Sequence, residues 1–568
     1  MSAQGACITR RDRTVLLECS HPGFDEARKE LAGYAELVKS PPVYHTYRIS
    51  PLSLWNAAAA GYTAERIVAS LKNLSRWGIP AGLEDEIRGL LSRYGSLELH
   101  ADAVNPQSIM LRTDKPGILD ELEKLNTLTA LGLQRSHSLE SSFPAVQRGL
   151  LKQELTRLGY PVIDYAGYRE GQVLDIAWKG DGQGEAGRSD ASFRLRDYQQ
   201  EAVRHYQGTG GSGGSGVVVL PCGAGKTVVG LAVLESLQCE ALILTSNATS
   251  VEQWRSELLE RTNLPASDVG KYTGDRREVR PVTIATYQML THRSSKDGPF
   301  LHMNLFNERN WGLIIYDEVH LLPAPVFRAT ADIQATRRLG LTATLVREDG
   351  REGDVFSLIG PKFYELPWKT LEDQGWIASV ECVELIVPMA PGLRSKYIYA
   401  GGKEQFRLAS GNPAKAEAAA QIVEAHAGAS VLVIGQYLDQ LEELAERLQA
   451  PLITGKTPQR ERKERYAAFN EGRLRVLVVS KVANFAVNLP DASVAIEVSG
   501  AFGSRQEEAQ RLGRILRPKP DENKAYFYTL VTGDSREQEF ALRRRMFLTE
   551  QGYEYAVRMI ERQEEEMA

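Results

Sequence analysis

The residues with the clearest chemistry lie in "VVVLPCGAGKTVVG", where an apolar run ends at Leu220, turns through Gly223, Ala224 and Gly225, and reaches Lys226 and Thr227. Two glycines let backbone N–H groups turn inward around a phosphate chain, and the N-terminus of the helix that follows adds positive potential. The Lys226 ammonium is then a candidate for the outer phosphates of ATP, and the Thr227 hydroxyl for Mg²⁺. The turn is the short GxGKT kind, because Leu220 stands where the longer phosphate loop has its first glycine. Further along, "WGLIIYDEVH" sets Asp317 and Glu318 at the end of an apolar strand. Asp317 is the candidate to hold Mg²⁺, mostly through water, and Glu318 the candidate to orient and deprotonate an attacking water. A third element, "QRLGRILRPK", carries Gln510, Arg514 and Arg517. The two arginines are three apart, on one face of a helix, where guanidinium forks suit the charge of a phosphoryl transition state. The order of the three elements predicts a site completed when two domains close, which would tie hydrolysis to motion.

Those residues need two parallel sheets to position them. After Gly216 apolar runs alternate with helical stretches: 217–220, 241–245, 282–285, 313–316 and 338–341. A second series follows at 431–434, 452–454, 476–479, 494–498 and 525–530. Continuous apolar runs suit parallel strands buried on both faces, so the pattern predicts two α/β units in tandem. Two Gly-rich stretches, 180–187 and 208–216, bracket "FRLRDYQQEAV", which reads as a helix before the first strand. Before Gly180 the pattern changes: "DRTVLLEC" reads as a strand, and 52–74, 82–94 and 148–158 read as helices, with no catalytic motif. From Ser535 the charged chain reads as a terminal helix with an acidic tail.

Composition sets the outer limits. The chain has 568 residues, 43% hydrophobic and 25% charged, enough for several packed units and unlike a disordered or membrane protein. No apolar run of eighteen residues and no secretory leader pattern is apparent, which places the expected site of action in the cytoplasm, away from membranes. Five scattered cysteines without a CxxC pair fit reduced thiols better than a zinc or iron–sulfur centre. A net charge of −5 argues against coating nucleic acid through bulk positive charge, yet allows a basic groove.

With the three elements in this order the sequence resembles a superfamily 2 helicase, and the intervening motifs resemble the XPB family, particularly its bacterial members. "LRDYQ" is similar to the family's adenine-proximal motif, which assigns Arg196 and Gln199 to the base. "TSNATSVEQW" and "IATYQML" resemble its first-domain strand-binding motifs, which makes Ser246, Asn247 and Thr286 phosphate contacts. "LTATLVREDG" holds the linking Thr342-Ala343-Thr344 and, directly after, Arg347, Glu348 and Asp349, which match the RED motif that family members use in strand opening. "VVSKVANFAVNLPDA" resembles motif V, with Ser480 and Lys481 at backbone phosphates and Asn488, where the family often has Asp, near the nucleotide.

The resemblance implies an α/β fold of two tandem RecA-like parallel-sheet motor domains with an α+β N-terminal accessory region. The accessory region takes residues 1–187, with a role in sensing distorted DNA or binding partners. Motor domains take 188–368, with ATP, and 369–568, with a thumb-like insertion near 390–412 in "SKYIYAGGKEQFRLASGNP". The function implied is ATP-dependent 3′–5′ opening of DNA at single-strand/duplex junctions, in DNA repair, with ATP and Mg²⁺ and with a nuclease partner. The nearest alternative is a duplex DNA translocase or partner-regulated ATPase switch, whose hydrolysis motifs would be the same. An RNA helicase and a scaffold using nucleotide only as a switch fit the motifs less well.

Overall fold

The computed structural model describes residues 5–39, 43–179, 193–208, 214–221, 223–295, 298–334, 336–344, 352–480, 492–500, 523–550, 553 and 555–560. These divide into two compact units, one of Met1–Leu220 with Gly225–Glu365, the other of Leu366–Ala568 with Pro221–Ala224.

The first unit begins with the accessory region. Strands β1 (Cys7–Thr9), β2 (Thr14–Glu18), β3 (Glu36–Lys39) and β4 (Tyr44–Arg48) form an antiparallel sheet in the order β1-β2-β4-β3. Its core takes in Leu17, Leu31, Tyr47, Leu54, Ile67 and Leu71. The helix expected over 52–74 is two helices, Pro51–Ala59 and Ala64–Leu74, because Gly61 at φ +87° ends the first and Thr63 caps the second. A second, mixed sheet contains β5 (Glu98–Ala101), β6 (Ser108–Arg112), β7 (Gln134–His137), β8 (Glu140–Pro144) and β9 (Ile163–Tyr165), in the order β7-β8-β6-β5-β9. Helix Arg148–Arg157 packs beside it and, on its other side, against helices Ala324–Asp332 and Glu352–Leu358 of the motor sheet.

That motor sheet has seven parallel strands. They are β10 (Ser215–Val219), β11 (Ala241–Thr245), β12 (Val269–Tyr272), β13 (Val282–Thr286), β14 (Leu313–Asp317), β15 (Arg337–Thr342) and β16 (Lys362–Glu365), in the order β12-β13-β11-β14-β15-β10-β16. Val217 and Val218, Leu242 to Leu244, Ile284, and Leu313 to Tyr316 are buried, as strands covered on both faces require. All five runs expected in this half are strands within a residue or two of their expected ends.

The second unit repeats the plan. Strands β17 (Ser379–Val387), β18 (Val431–Gly435), β19 (Leu452–Ile453), β20 (Val476–Ser480), β21 (Val494–Glu497), β22 (Lys524–Thr532) and β23 (Tyr555–Met559) lie parallel in the order β19-β20-β18-β21-β22-β17-β23. The α/β fold of two tandem parallel-sheet domains behind an α+β region is therefore the observed one. The terminal charged segment is a helix, Glu537–Glu550, but it is followed by β23, which pairs with β17. The stretch near 390–412 forms two helices, Pro391–Tyr399 and Gly402–Ser410, with Ile398 and Tyr399 exposed at the turn between them. Among the described residues no helix is long and apolar enough to cross a membrane.

Under those two helices lies a fully buried ion pair. Lys415 Nζ donates to Glu537 Oε1 at 2.8 Å and Oε2 at 2.7 Å, and to Val498 O at 3.0 Å. Glu537 Oε2 also accepts from Thr532 N at 2.9 Å. Burial lowers the Lys415 pKa against the pull of Glu537. Removing one partner of such a pair leaves a stranded charge, so Lys415→Met is expected to destabilise the second unit by about 3–5 kcal/mol. Lys415→Met/Glu537→Leu should recover most of that loss in denaturant unfolding of the full chain, and a single variant with wild-type stability would contradict it.

Candidate ATP site of the first motor unit

Ligands of parallel sheets bind at the carboxyl ends of the strands, and Lys226, Thr227, Asp317 and Glu318 lie beyond or at the carboxyl ends of β10 and β14. Helix Lys226–Leu237 starts at Gly225, whose φ of +78° follows Gly223 at +82°. A Cβ on Gly225 would fall 2.7 Å from Gln199 Nε2, so the side chain expected to read the base lies directly against the phosphate turn. Gln199 is itself held by Arg196 N, which donates to Gln199 Oε1 at 3.0 Å where helix Asp197–Gln207 begins. Lys226 Nζ stands 3.8 Å from Glu318 Oε1, with both side chains mostly shielded from water. Thr227 sits in the first turn of the same helix.

Asp317 ends β14 and Glu318 follows it in the left-handed region, φ 52° and ψ 53°. A non-glycine residue held there signals local strain that the surroundings must impose. Asp317 Oδ2 accepts from Trp254 Nε1 at 2.9 Å, and Asp317 O accepts from Tyr287 Oη at 2.9 Å. Burial and the neighbouring Glu318 charge push the Asp317 carboxyl up to about 6. Glu318 Oε2 lies 3.5 Å from His320 Nδ1, which shares a 2.6 Å hydrogen bond with Thr342 Oγ1. Thr342 Oγ1 in turn accepts from Thr344 N at 3.2 Å. Glu318 thus lies between the Lys226 ammonium and buried His320, and His320 is hydrogen-bonded to the end of β15.

Asn247 and Thr286 are both helix caps. Asn247 Oδ1 accepts from Ser250 N at 2.9 Å at the start of helix Ala248–Arg261, and Asn247 Nδ2 donates to Ser246 Oγ at 3.0 Å. Thr286 Oγ1 accepts from Met289 N at 3.3 Å. Ser480 ends β20 in the second unit, with its hydroxyl buried and unpartnered among the described residues. Arg347, Glu348, Asp349, Lys481, Asn488, Gln510, Arg514 and Arg517 lie outside the described residues.

The donors present suit a divalent cation. Asp317 and Glu318 are adjacent carboxylates, burial and then the Glu318 charge raise the Asp317 pKa, and Thr227 offers a hydroxyl. Among the described residues no group of three or more His, Cys, Asp or Glu could hold a metal ion. A cation here would complete its shell from water and from the substrate's phosphates.

Trp254 and Tyr287 were not singled out by the sequence reading, although each lies inside a quoted motif. The signal available was a Trp on the buried face of an amphipathic helix, beside Val251 and Leu258, whose buried N–H must find an acceptor. Gly230 makes room for it, since a Cβ there would meet Trp254 Cη2 at 2.5 Å.

Two parallel sheets, one with a glycine turn, an ammonium and an acidic pair at its carboxyl edge, define the RecA-like class of motor proteins. The family comparisons narrow the class. The ERCC3/RAD25/XPB C-terminal helicase model matches residues 371–568, the model for the res subunit of type III restriction enzymes matches 192–347, and a helicase conserved C-terminal domain model matches 7–137. A DNA 3′-5′ helicase XPB of Kineococcus radiotolerans is 50% identical, across 97% of this chain and 96% of that one. The DNA 3′-5′ helicase XPB of Mycobacterium tuberculosis is 48% identical, across 98% of each. The general transcription and DNA repair factor IIH helicase/translocase subunit XPB/SSL2 of Saccharomyces cerevisiae is 30% identical, across 97% of this chain and 71% of its own length. The chain belongs to the XPB family of superfamily 2 DNA helicases.

Trp254→Phe keeps an aromatic ring in place of the larger indole and deletes the hydrogen bond to Asp317. Hydrogen bonds to charged groups contribute about 1.5–3 kcal/mol, so kcat for ATP hydrolysis is expected to fall roughly 10- to 100-fold. Steady-state ATPase assays with DNA check this, and an unchanged kcat would remove Trp254 from the site.

Proposed function

We propose that this chain hydrolyses ATP to open duplex DNA with 3′ to 5′ polarity at single-strand/duplex junctions, in DNA repair. The supporting observation is the grouping of Lys226, Glu318 and His320, with Glu318 3.8 Å from Lys226 Nζ and 3.5 Å from His320 Nδ1, and with His320 hydrogen-bonded to Thr342 on the strand after which Arg347, Glu348 and Asp349 follow in sequence.

In this reading Gly223, Ala224 and Gly225 present backbone N–H groups to the phosphates, Lys226 neutralises the outer ones, and Arg196 and Gln199 hold the base. Glu318 orients water for in-line attack and takes its proton. Asp317, mostly through water, and Thr227 would hold Mg²⁺, which when bound would supply charge neutralisation at the phosphates. Arg514 and Arg517, with Gln510, are the donors the sequence offers for charge on the transferring group. When Glu318 loses its contact with substrate, His320 carries the change to Thr342 and so to the RED triplet. Asn247 and Thr286 hold two helix N-termini at the edge where strand phosphates would lie, beside Ser246, and Ser480 and Lys481 serve the second domain. Residues 1–187 act on distorted DNA or partners, while 188–368 and 369–568 form the motor domains and helices 391–410 the thumb. A nuclease partner and a cytoplasmic setting belong to the same reading.

The test is unwinding of a DNA duplex with a 3′ single-stranded tail, with ATP and Mg²⁺, alongside ATP hydrolysis. Glu318→Gln is expected to lower hydrolysis by about 10²–10⁴-fold. Arg347→Ala should abolish unwinding while DNA-stimulated hydrolysis persists. Hydrolysis without unwinding by the unaltered chain would replace this reading with a duplex translocase or partner-dependent switch.

A further inference from the structure

The accessory region reaches the acidic strand through buried polar groups. On helix Arg148–Arg157, Lys152 Nζ donates to Asp164 Oδ2 at 3.0 Å and to Gln334 Oε1, in the motor sheet's layer, at 3.0 Å. Gln334 Nε2 donates to Thr330 O at 2.8 Å and to Leu358 O at 3.0 Å. Thr330 Oγ1 donates to Val326 O at 2.8 Å, so its lone pairs are left to accept from Tyr316 Oη at 2.9 Å. Tyr316 is the residue before Asp317 on β14.

A second branch starts from the same place. Arg338, fully buried on β15, donates to Gln334 O at 2.8 Å, Leu358 O at 2.7 Å and Ser215 Oγ at 2.7 Å. Ser215 begins β10, the strand that runs into the phosphate turn. The Arg338 and Arg148 guanidinium groups both lie over the Tyr168 ring of the accessory region. Arg148 also forks onto Asp164, at 3.0 and 2.7 Å. Against the burial that would raise it, the charges of Lys152 and Arg148 keep the Asp164 carboxyl below its usual range. Burial brings Lys152 down to about 8. The three strands that carry the phosphate turn, the acidic pair and Thr342 are thus tied together by one set of buried groups, at the amino ends of β10 and β15 and next to the carboxyl end of β14, and accessory-region side chains complete that set.

We propose that Lys152, Gln334 and Tyr316 are positioning residues for ATP hydrolysis, through which the docked accessory region sets the placement of Asp317 and Glu318. Like the functional reading above, this rests on the chain being an ATPase. It differs from a contact that merely glues two domains, because every link is directional and the last ends one residue from the acidic pair. A line of hydrogen bonds becomes a coupling only if its members lose function together, and double-mutant cycles measure that.

The experiment uses the full chain with duplex DNA, reading kcat and KM for ATP and the melting temperature of each variant. Lys152→Met and Tyr316→Phe are each expected to lower kcat about 3- to 10-fold with little change in KM. The double variant should be no slower than the slower single, whereas independent residues would multiply their losses. Lys152→Arg, which keeps a charged donor, should recover most of the rate. If Lys152→Met does not fold, Tyr316→Phe with Gln334→Glu serves for the cycle. Multiplicative losses, or unchanged kcat in variants that melt earlier, would overturn the proposal. An unaltered chain that hydrolyses no ATP would instead sink the functional reading beneath it.

Discussion

Asp317 and Glu318 follow one another at the carboxyl end of β14, where protein shields both, and adjacent carboxylates so placed repel. Much of the first motor unit is arranged to hold them there. Trp254 and Tyr287 fix Asp317 from the neighbouring helices, and Lys226 and His320 stand on either side of Glu318. At 3.8 Å and an effective dielectric of about 20, the Lys226–Glu318 attraction is roughly 4 kcal/mol before desolvation, and it opposes the repulsion within the pair. The left-handed backbone at Glu318 costs on the order of 1–3 kcal/mol and breaks the in-out alternation of the strand. Strain of this kind persists only where the surroundings over-determine it.

The same unit shows how an accessory region can belong to a motor domain. Besides the polar groups around Lys152, Phe356 packs against both Trp55 and Tyr94, Gln153 Nε2 donates to Asp354 Oδ1 at 3.0 Å, and Lys362 N donates to Asn56 Oδ1 at 3.0 Å. The chain from Gln172 to Lys179 then runs along the amino ends of β11 and β14, exchanging backbone hydrogen bonds with Gln238, Glu240, Arg261 and Asn310. The composition break near Gly180 is a change of sequence character, while the packing unit continues across it.

What the sequence disclosed follows from how local each signal is. Parallel strands buried on both faces read as runs of Val, Ile and Leu, so all ten expected motor runs are strands. The glycine turn and the acidic pair are legible because their chemistry is packed into a few contiguous residues. β23 was hidden because Tyr555–Met559 is an edge strand with four exposed residues, following a charged helix. The accessory sheets have short strands whose alternation is too brief to stand out. Trp254 and Asp317 are 63 residues apart, and Lys152 and Gln334 are 182 apart, and no spacing rule within one segment predicts such partners.

Two pairs of small residues seal the accessory region to the motor. A Cβ on Gly149 would collide with the backbone of Ala331, and Gly171 and Gly312 lie so close that a Cβ on Gly171 would strike Gly312 while one on Gly312 would strike Glu170. Each pair has one member on either side of the composition break. Any lineage that exchanges the front of this chain for another must therefore bring matching small residues with it or mend the seam on both sides at once. Inheritance of the two parts is bound by that geometry.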